Sequence, residues 1–246
     1  MARIASPAVT LAEAVVAALI FGLGAAVQGS VGFGANLVAA PLLVLVSDGY
    51  VPGPVIVASG VLNLLVVWRS GRGEVDPTVN VAIAGQVVGT LAAGAVIARL
   101  PADALAIVFA VLVLVAVAVS MAGRRLAPTT PNLAGAGLAS GFMGTISGIG
   151  GPPIALAYLG LNGPRLRATL ARYFLVGNLV AIPTLIVVGS LGVDEVPECL
   201  VLIPGAVVGF LASGWLARHA DRATVRPIVL GLSTAAAVAV IIRTLA

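Results

Sequence analysis

The most constraining feature of this sequence is a series of long apolar stretches that contain almost no charge. A helix needs about 20 apolar residues to cross a bilayer. Four stretches have that length: 8–28, 77–98, 102–122 and 197–217. Three are slightly shorter, at 52–68, 173–190 and 224–242, and 132–147 is shorter still. These stretches predict an all-α integral membrane protein.

The composition agrees with this prediction and excludes other classes. Of the 246 residues, 60% are hydrophobic and 9% are charged, whereas a soluble domain has about 25% charged residues. All 13 basic residues are arginines scattered in short loops, with few aromatic side chains, so no nucleic-acid partner is predicted. A single cysteine, Cys199, and a single histidine, His219, predict no metal site and no cofactor.

Two apolar stretches, 35–47 and 152–162, are too short for an upright span. Each follows a glycine-rich break, GSVGFG at 29–34 and SGIGG at 147–151. At 1.5 Å per residue the two stretches reach only about 16–20 Å. They are either short crossing helices or re-entrant arms. We favour re-entrant helical hairpins whose tips lie inside the membrane.

The two halves of the chain repeat each other. GQVVGTLAAG at 85–94 aligns with GAVVGFLASG at 205–214, with seven of ten residues identical. Gly32 aligns with Gly148 and Asn63 with Asn178, in the same order and at offsets of 115 to 120 residues. This order predicts a duplication. The expected division is an N-terminal repeat at 1–122, a cytoplasmic linker at 123–131 and a C-terminal repeat at 132–246.

The positions of the arginines predict that the repeats are inverted. If the chain reverses at each glycine break, ten arginines fall on one side and three, Arg3, Arg99 and Arg243, on the other. If each break is one interrupted crossing, the split is seven to six. Only the first split follows the positive-inside rule. Each repeat is then a glycine-interrupted hairpin plus three transmembrane helices, and both termini lie outside.

Each break is a candidate anion site, because a new helix starts after it. A helix N-terminus carries free N–H groups and about half a positive charge, and glycine lets a ligand approach the backbone. Proline at 152 and 153 suits a first helical turn. The alternative is that the glycines serve only tight turns and helix packing. Their paired occurrence favours one site near the membrane midplane.

Polar side chains beside the breaks can donate hydrogen bonds to the oxygens of an anion. Some of them, such as Ser30 and Ser147, suit helix caps equally well. The predicted binding residues are Gln28, Ser30, Gly32, Gly34, Ala35, Asn36, Thr145, Ser147, Gly148, Gly150 and Gly151.

Three further residues are supporting candidates. Asn63 and Asn178 lie inside predicted spans, where they either line the cavity or brace the hairpin tips. Arg172 lies at the start of the span 173–190. Either it attracts anions electrostatically on the cytoplasmic side, or it is an interfacial arginine whose charged end snorkels to the membrane surface.

The two break regions also resemble a known family. GAAVQGSVGFGANLVAAPLL and GLASGFMGTISGIGGPPIALAYL are similar to the two glycine-rich signatures of the TauE/SafE family, the sulfite exporters. The resemblance covers nearly the whole chain. It implies a multi-pass permease of a bacterial or archaeal cytoplasmic membrane that carries sulfite, an organosulfonate or a related anion.

The sequence thus predicts a secondary transporter that works by alternating access, with a small anion and the lipid bilayer as partners. It does not decide between a monomer and a homo-oligomer. An anion channel of the same fold is the main alternative. A membrane enzyme is disfavoured, because no carboxylate or histidine cluster falls inside a span. A passive scaffold is disfavoured by the broken helices. The same absence of buried carboxylates predicts no Asp/Glu proton relay.

Overall fold

The computed structural model describes residues 10–71, 73–122 and 125–219, with five isolated positions beyond residue 230. In these residues the regular structure is helical: α1 Leu11–Val31, α2 Ala35–Val46, α3 Gly53–Ser70, α4 Val79–Ile97, α5 Ala102–Ala122, α6 Thr130–Ser147, α7 Gly151–Tyr158, α8 Gly163–Val187 and α9 Val196–His219. Six segments have the length and hydropathy to cross a membrane, which confirms the predicted all-α membrane fold. The predicted span at 224–242 lies outside the described residues apart from those five positions.

Helix α1 shows how local sequence sets the element ends. Thr10 and Glu13 form a capping box, in which Glu13 N donates to Thr10 Oγ1 at 3.3 Å and Thr10 N donates to Glu13 Oε2 at 2.9 Å. The helix ends at Gly32, whose φ of 110° is accessible mainly to glycine. The first break therefore begins where the backbone leaves the helical region.

Helix α8 differs from the prediction at its start. The apolar span was expected at 173–190 with the arginines before it in a loop, but the helix begins at Gly163 and includes Arg165, Arg167 and Arg172. Asn162 caps it by accepting from Arg165 N at 3.0 Å. Arginine is a good helix former, so charge ends the apolar pattern here without ending the helix.

Glycines bring two helix pairs into close contact. Helix α1 packs along α9 and α4 along α6, and a Cβ on any of the glycines concerned would overlap the backbone of the partner helix. The pairs are Gly205 with Ala18, Gly209 with Gly22, Gly137 with Ala82 and Gly141 with Gln86. Residue numbers rise together in both pairs, so the paired helices run parallel, held by the small-residue packing typical of membrane helices.

Helices α3 and α8 meet in the opposite sense. Gly53 lies against Leu191 and Gly60 against Asn178, so these two helices run antiparallel. Helix α3 runs parallel to α9, and α4 runs parallel to α8. The contacts are Gly49 with Glu198, Arg69 with Ser213, Gln86 with Gly177 and Gly94 with Thr184. Helices α1, α3 and α9 therefore share one direction, and α4, α6 and α8 share the other.

The chain turns back on itself at both breaks. A Cβ on Gly24 of α1 would overlap the carbonyl of Ala35, and Ser140 Oγ of α6 donates to Gly150 O at 2.5 Å. The returning arms, α2 and α7, have 12 and 8 residues, which is about 18 and 12 Å of helix. Both are shorter than the hydrocarbon core, about 30 Å thick, and α7 ends at Tyr158, four residues before the predicted end.

Candidate functional site

The two breaks line one central cavity. The cavity lies between α1–α4 and α6–α8, and both hairpin tips contribute to its wall. The predicted residues that line it are Gln28, Gly34, Asn36, Asn63, Thr145, Gly148, Gly150, Gly151 and Asn178. Its volume is about 60 Å³, on a scale where one water molecule needs about 10–15 Å³. This is room for a few waters or for an anion of a few heavy atoms.

Gln28 organises the first break. Its Oε1 accepts a hydrogen bond from Ala35 N at 3.3 Å, and its Nε2 donates to Asn63 Oδ1 at 2.7 Å. The amide thus joins α1, the start of α2 and α3. One of the free N–H groups at the N-terminus of α2 is therefore satisfied by this side chain.

Asn36 connects the two breaks directly. Its Nδ2 donates to Gly148 O at 2.8 Å, across 112 residues of sequence. The same amide is hydrogen-bonded to the Ser59 hydroxyl, at 2.8 Å from Nδ2 and 3.1 Å from Oδ1. The first turn of α2, the middle of α3 and the end of α6 are therefore tied together at the cavity wall.

The hydroxyl side chains at the second break form hydrogen bonds with nearby backbone groups. Ser147 Oγ donates to Met143 O at 2.7 Å and accepts from Ile149 N at 3.2 Å. Thr145 Oγ1 donates to Gly141 O at 2.8 Å. These bonds occupy the hydroxyl protons that were predicted to bind an anion.

Helix α7 offers an anion fewer backbone N–H donors than predicted. Gly150 is its N-cap, so Pro152 and Pro153 occupy the second and third helical positions. Proline has no N–H. The N-terminus of α7 therefore offers an anion only the N–H groups of the two glycines before the prolines, Gly150 and Gly151.

Five predicted residues do not line the cavity: Ser30, Gly32, Ala35, Ser147 and Arg172. Ser30 Oγ donates to Val27 O at 2.8 Å, one turn back in its own helix. Arg172 is exposed on α8, as the snorkelling alternative expects. Asn178, in contrast, lines the cavity while its Nδ2 donates to Ile56 O at 2.6 Å, so it also braces α3 against α8.

Sequence reasoning missed several polar residues of the cavity wall. They are Ser59, Gln86, Thr90 and Ser140. A signal for two of them was available in the aligned repeats: Gln86 and Thr90 stand where the second copy has Ala206 and Phe210. A polar residue that replaces an apolar one at a matched membrane position indicates a local role, because polar groups inside a membrane are costly.

A second, larger cavity collects arginines at the end of α1. It measures about 780 Å³, and its wall includes Arg69, Arg165 and Arg167. Arg69 Nη2 donates to Gly29 O at 2.9 Å and Arg167 Nη1 to Ser30 O at 3.3 Å. Positive groups at a helix C-terminus complement its dipole. Glu74 lines the same cavity and pairs with Arg165 at 3.2 Å. Three arginines against this one carboxylate, and not Arg172, give the wall a net positive charge.

Two carboxylates among the described residues contradict the prediction that none is buried: Glu195, which is 9% exposed, and Glu198. Glu198, in the first turn of α9, is 4% exposed, and its Oε2 has no hydrogen-bond partner among the residues that the structure describes. It lies beside Gly49, in the short turn before α3. That turn covers the start of α9, a long-range contact that local sequence does not encode. Glu198 does not line the central cavity.

Comparison with known proteins places this architecture in a family. The profile described as "Sulfite exporter TauE/SafE" matches residues 16–240, nearly the whole chain. No curated protein and no solved structure matches the chain. The TauE/SafE proteins are membrane transporters of sulfur-related anions, in accord with the apolar helices and the polar central cavity described above. The chain belongs to the sulfite exporter TauE/SafE family.

Proposed function

We propose that this protein is a secondary transporter of a small anion, namely sulfite, an organosulfonate or a related sulfur oxyanion, which binds in the central cavity between the two breaks. The observation that carries the proposal is that the two breaks, at 29–34 and 147–151 in separate halves of the chain, both line one cavity. The hydrogen bond from Asn36 Nδ2 to Gly148 O connects them. A site shared by two halves is suited to alternating access.

The bound anion is held mainly by dipoles and neutral donors in this proposal. The first turn of α2, whose Asn36 lines the cavity, contributes the positive end of its helix dipole, and Gly150 and Gly151 supply backbone N–H groups of the second break. Cavity amides add side-chain donors. A fully buried arginine would bind an anion so tightly that release would be slow, and no arginine is among the residues that line this cavity.

The directions of the helices support an inverted repeat. The alignment pairs α1 with α6, α3 with α8 and α4 with α9, and in each pair the two helices run in opposite directions. We therefore propose that residues 1–122 and 132–246 are related by a two-fold axis in the membrane plane, with 123–131 as a cytoplasmic linker. By the positive-inside rule, the arginine-lined cavity then opens on the cytoplasmic side of a bacterial or archaeal membrane, and both termini lie on the outer side.

Counterflow in proteoliposomes tests alternating access. Vesicles are loaded with unlabelled sulfite, and uptake of trace labelled sulfite is compared with that of vesicles loaded with chloride. A transporter accumulates label faster against internal sulfite, because each return step carries an anion. Equal uptake under both conditions in active protein would instead identify an anion channel and refute the proposed mechanism.

A further inference from the structure

Gln86 has a buried polar atom that the protein itself does not satisfy. The residue is 6% exposed in the middle of α4, and its Oε1 has no hydrogen-bond partner in the described part of the chain. A buried polar atom without a hydrogen-bond partner destabilises the protein. Gln86 lines the central cavity. Because Oε1 only accepts hydrogen bonds, an anion in the cavity can pair with this amide only through Nε2.

Gly177 makes room for this side chain. Helix α8 passes α4 at this point, and a Cβ on Gly177 would overlap Nε2 of Gln86. Gly177 lines the cavity next to Asn178. In its present position the amide leaves no room for a side chain at residue 177.

Gln86 also lies next to the break that is poor in backbone donors. Its backbone carbonyl packs against Gly141 of α6, and the neighbouring Ser140 is hydrogen-bonded to Gly150. The prolines that follow remove two N–H groups from the start of α7. A half-turn of the Gln86 amide exchanges Oε1 and Nε2, so this buried position can present two N–H donors to an oxyanion.

The second half of the chain lacks an equivalent group. Ala206 and Phe210 occupy the aligned positions on α9, and both are buried in an apolar cluster with α1 and α3. The amide is thus present only in the copy that packs against the proline-containing break. This matches a deficit of donors on that side of the cavity.

We propose that Gln86, placed by Gly177, donates hydrogen bonds to the oxygens of the transported anion and is the main side-chain determinant of anion binding at the second break. The inference rests on the proposed function. It assigns a binding residue outside both glycine motifs and predicts that the site favours oxyanions, which offer several acceptor atoms, over halides.

Binding of methanesulfonate to purified, detergent-solubilised protein tests this assignment. Loss of one hydrogen bond to a charged ligand is worth about ten- to a hundredfold in affinity, and this loss is expected for Gln86→Ala. Gly177→Ala should weaken binding comparably, because its methyl group displaces the amide. Gly135→Ala is the matched control, since a Cβ at Gly135 meets no atom within 4 Å.

Gln86→Glu adds a readout that a purely structural role would not produce. Its carboxylate repels the anion when ionised but donates an O–H when protonated. Methanesulfonate stays ionised throughout the range, so its affinity for this variant should rise as the pH falls from 8 to 5, relative to wild type. A flat profile would contradict the assignment.

The outcomes separate this inference from the proposed function. If wild type binds methanesulfonate and sulfite, and Gln86→Ala and Gly177→Ala bind within threefold of it, Gln86 is not a binding residue but the cavity remains the site. If monodisperse wild type binds neither anion, the proposed function fails and this inference fails with it. A chloride affinity that equals the methanesulfonate affinity in wild type would refute the oxyanion preference.

Discussion

Asn36 is the residue whose removal should most directly separate the two breaks. Asn36→Ala deletes the bond to Gly148 O and the bonds to Ser59. A buried hydrogen bond contributes about 0.5–1.5 kcal/mol net, so the loss of the bonds to these two partners should lower stability by about 1–3 kcal/mol. At about 2–4 °C per kcal/mol for a chain of this size, the melting temperature should fall by roughly 2–12 °C.

Two further variants make the test specific. Asn132→Ala removes a side-chain hydrogen bond of similar length on an exposed surface, from Asn132 Nδ2 to Ala127 O at 2.9 Å. It should change the melting temperature by less than 2 °C on the same scale. Asn36→Asp should be worse than Asn36→Ala, because it sets a carboxylate oxygen against Gly148 O. Melting is followed by tryptophan fluorescence in detergent with and without sulfite. A melting temperature for Asn36→Ala equal to that of wild type would refute the view that this amide joins the breaks.

Three other changes test separate parts of the structure. Cysteines placed singly at 125 and 193 in a Cys199→Ala background should differ in intact cells: an impermeant maleimide should label position 193, which is exposed, and not position 125, and the reverse result would overturn the inverted topology. Glu198→Gln should retain methanesulfonate uptake, since Glu198 lies away from the cavity; loss of uptake with intact binding would instead assign it a coupling role. Arg69→Leu should melt at a lower temperature than Asn132→Ala, because it loses bonds to Gly29, Phe210 and Ser213; an unchanged melting temperature would contradict this.

The fold class could be predicted because membrane-spanning helices follow a local rule. Each span needs only enough consecutive apolar residues, and capping and glycine signals mark its ends. The same rule failed for α8, where Arg165, Arg167 and Arg172 interrupt the apolar run but remain helical. Apolar length identifies the part of a helix that lies in lipid, while helix ends depend on caps such as Asn162.

The candidate site could be predicted only in part. The breaks were visible as glycine motifs, and the structure brings residues of both into one cavity. Sequence alone could not show how their polar groups are used: Ser147 satisfies its own helix, and Asn36 bonds to the opposite break. Such choices depend on which helix lies alongside, and long-range packing fixes that.

The missed residues show what a duplicated chain hides from motif analysis. A repeat draws attention to positions where its copies agree, such as Asn63 and Asn178, and agreement favours packing that both halves need. Sulfite and methanesulfonate have a three-fold axis and no two-fold axis, so the groups that contact them are free to differ between halves. Two aligned positions differ in this way. Gln86 aligns with Ala206, and Asn36, the second residue of α2, aligns with Pro152, the second residue of α7. In a duplicated transporter, the polar mismatches between aligned copies are therefore as informative about the binding site as the matched glycines are about the fold.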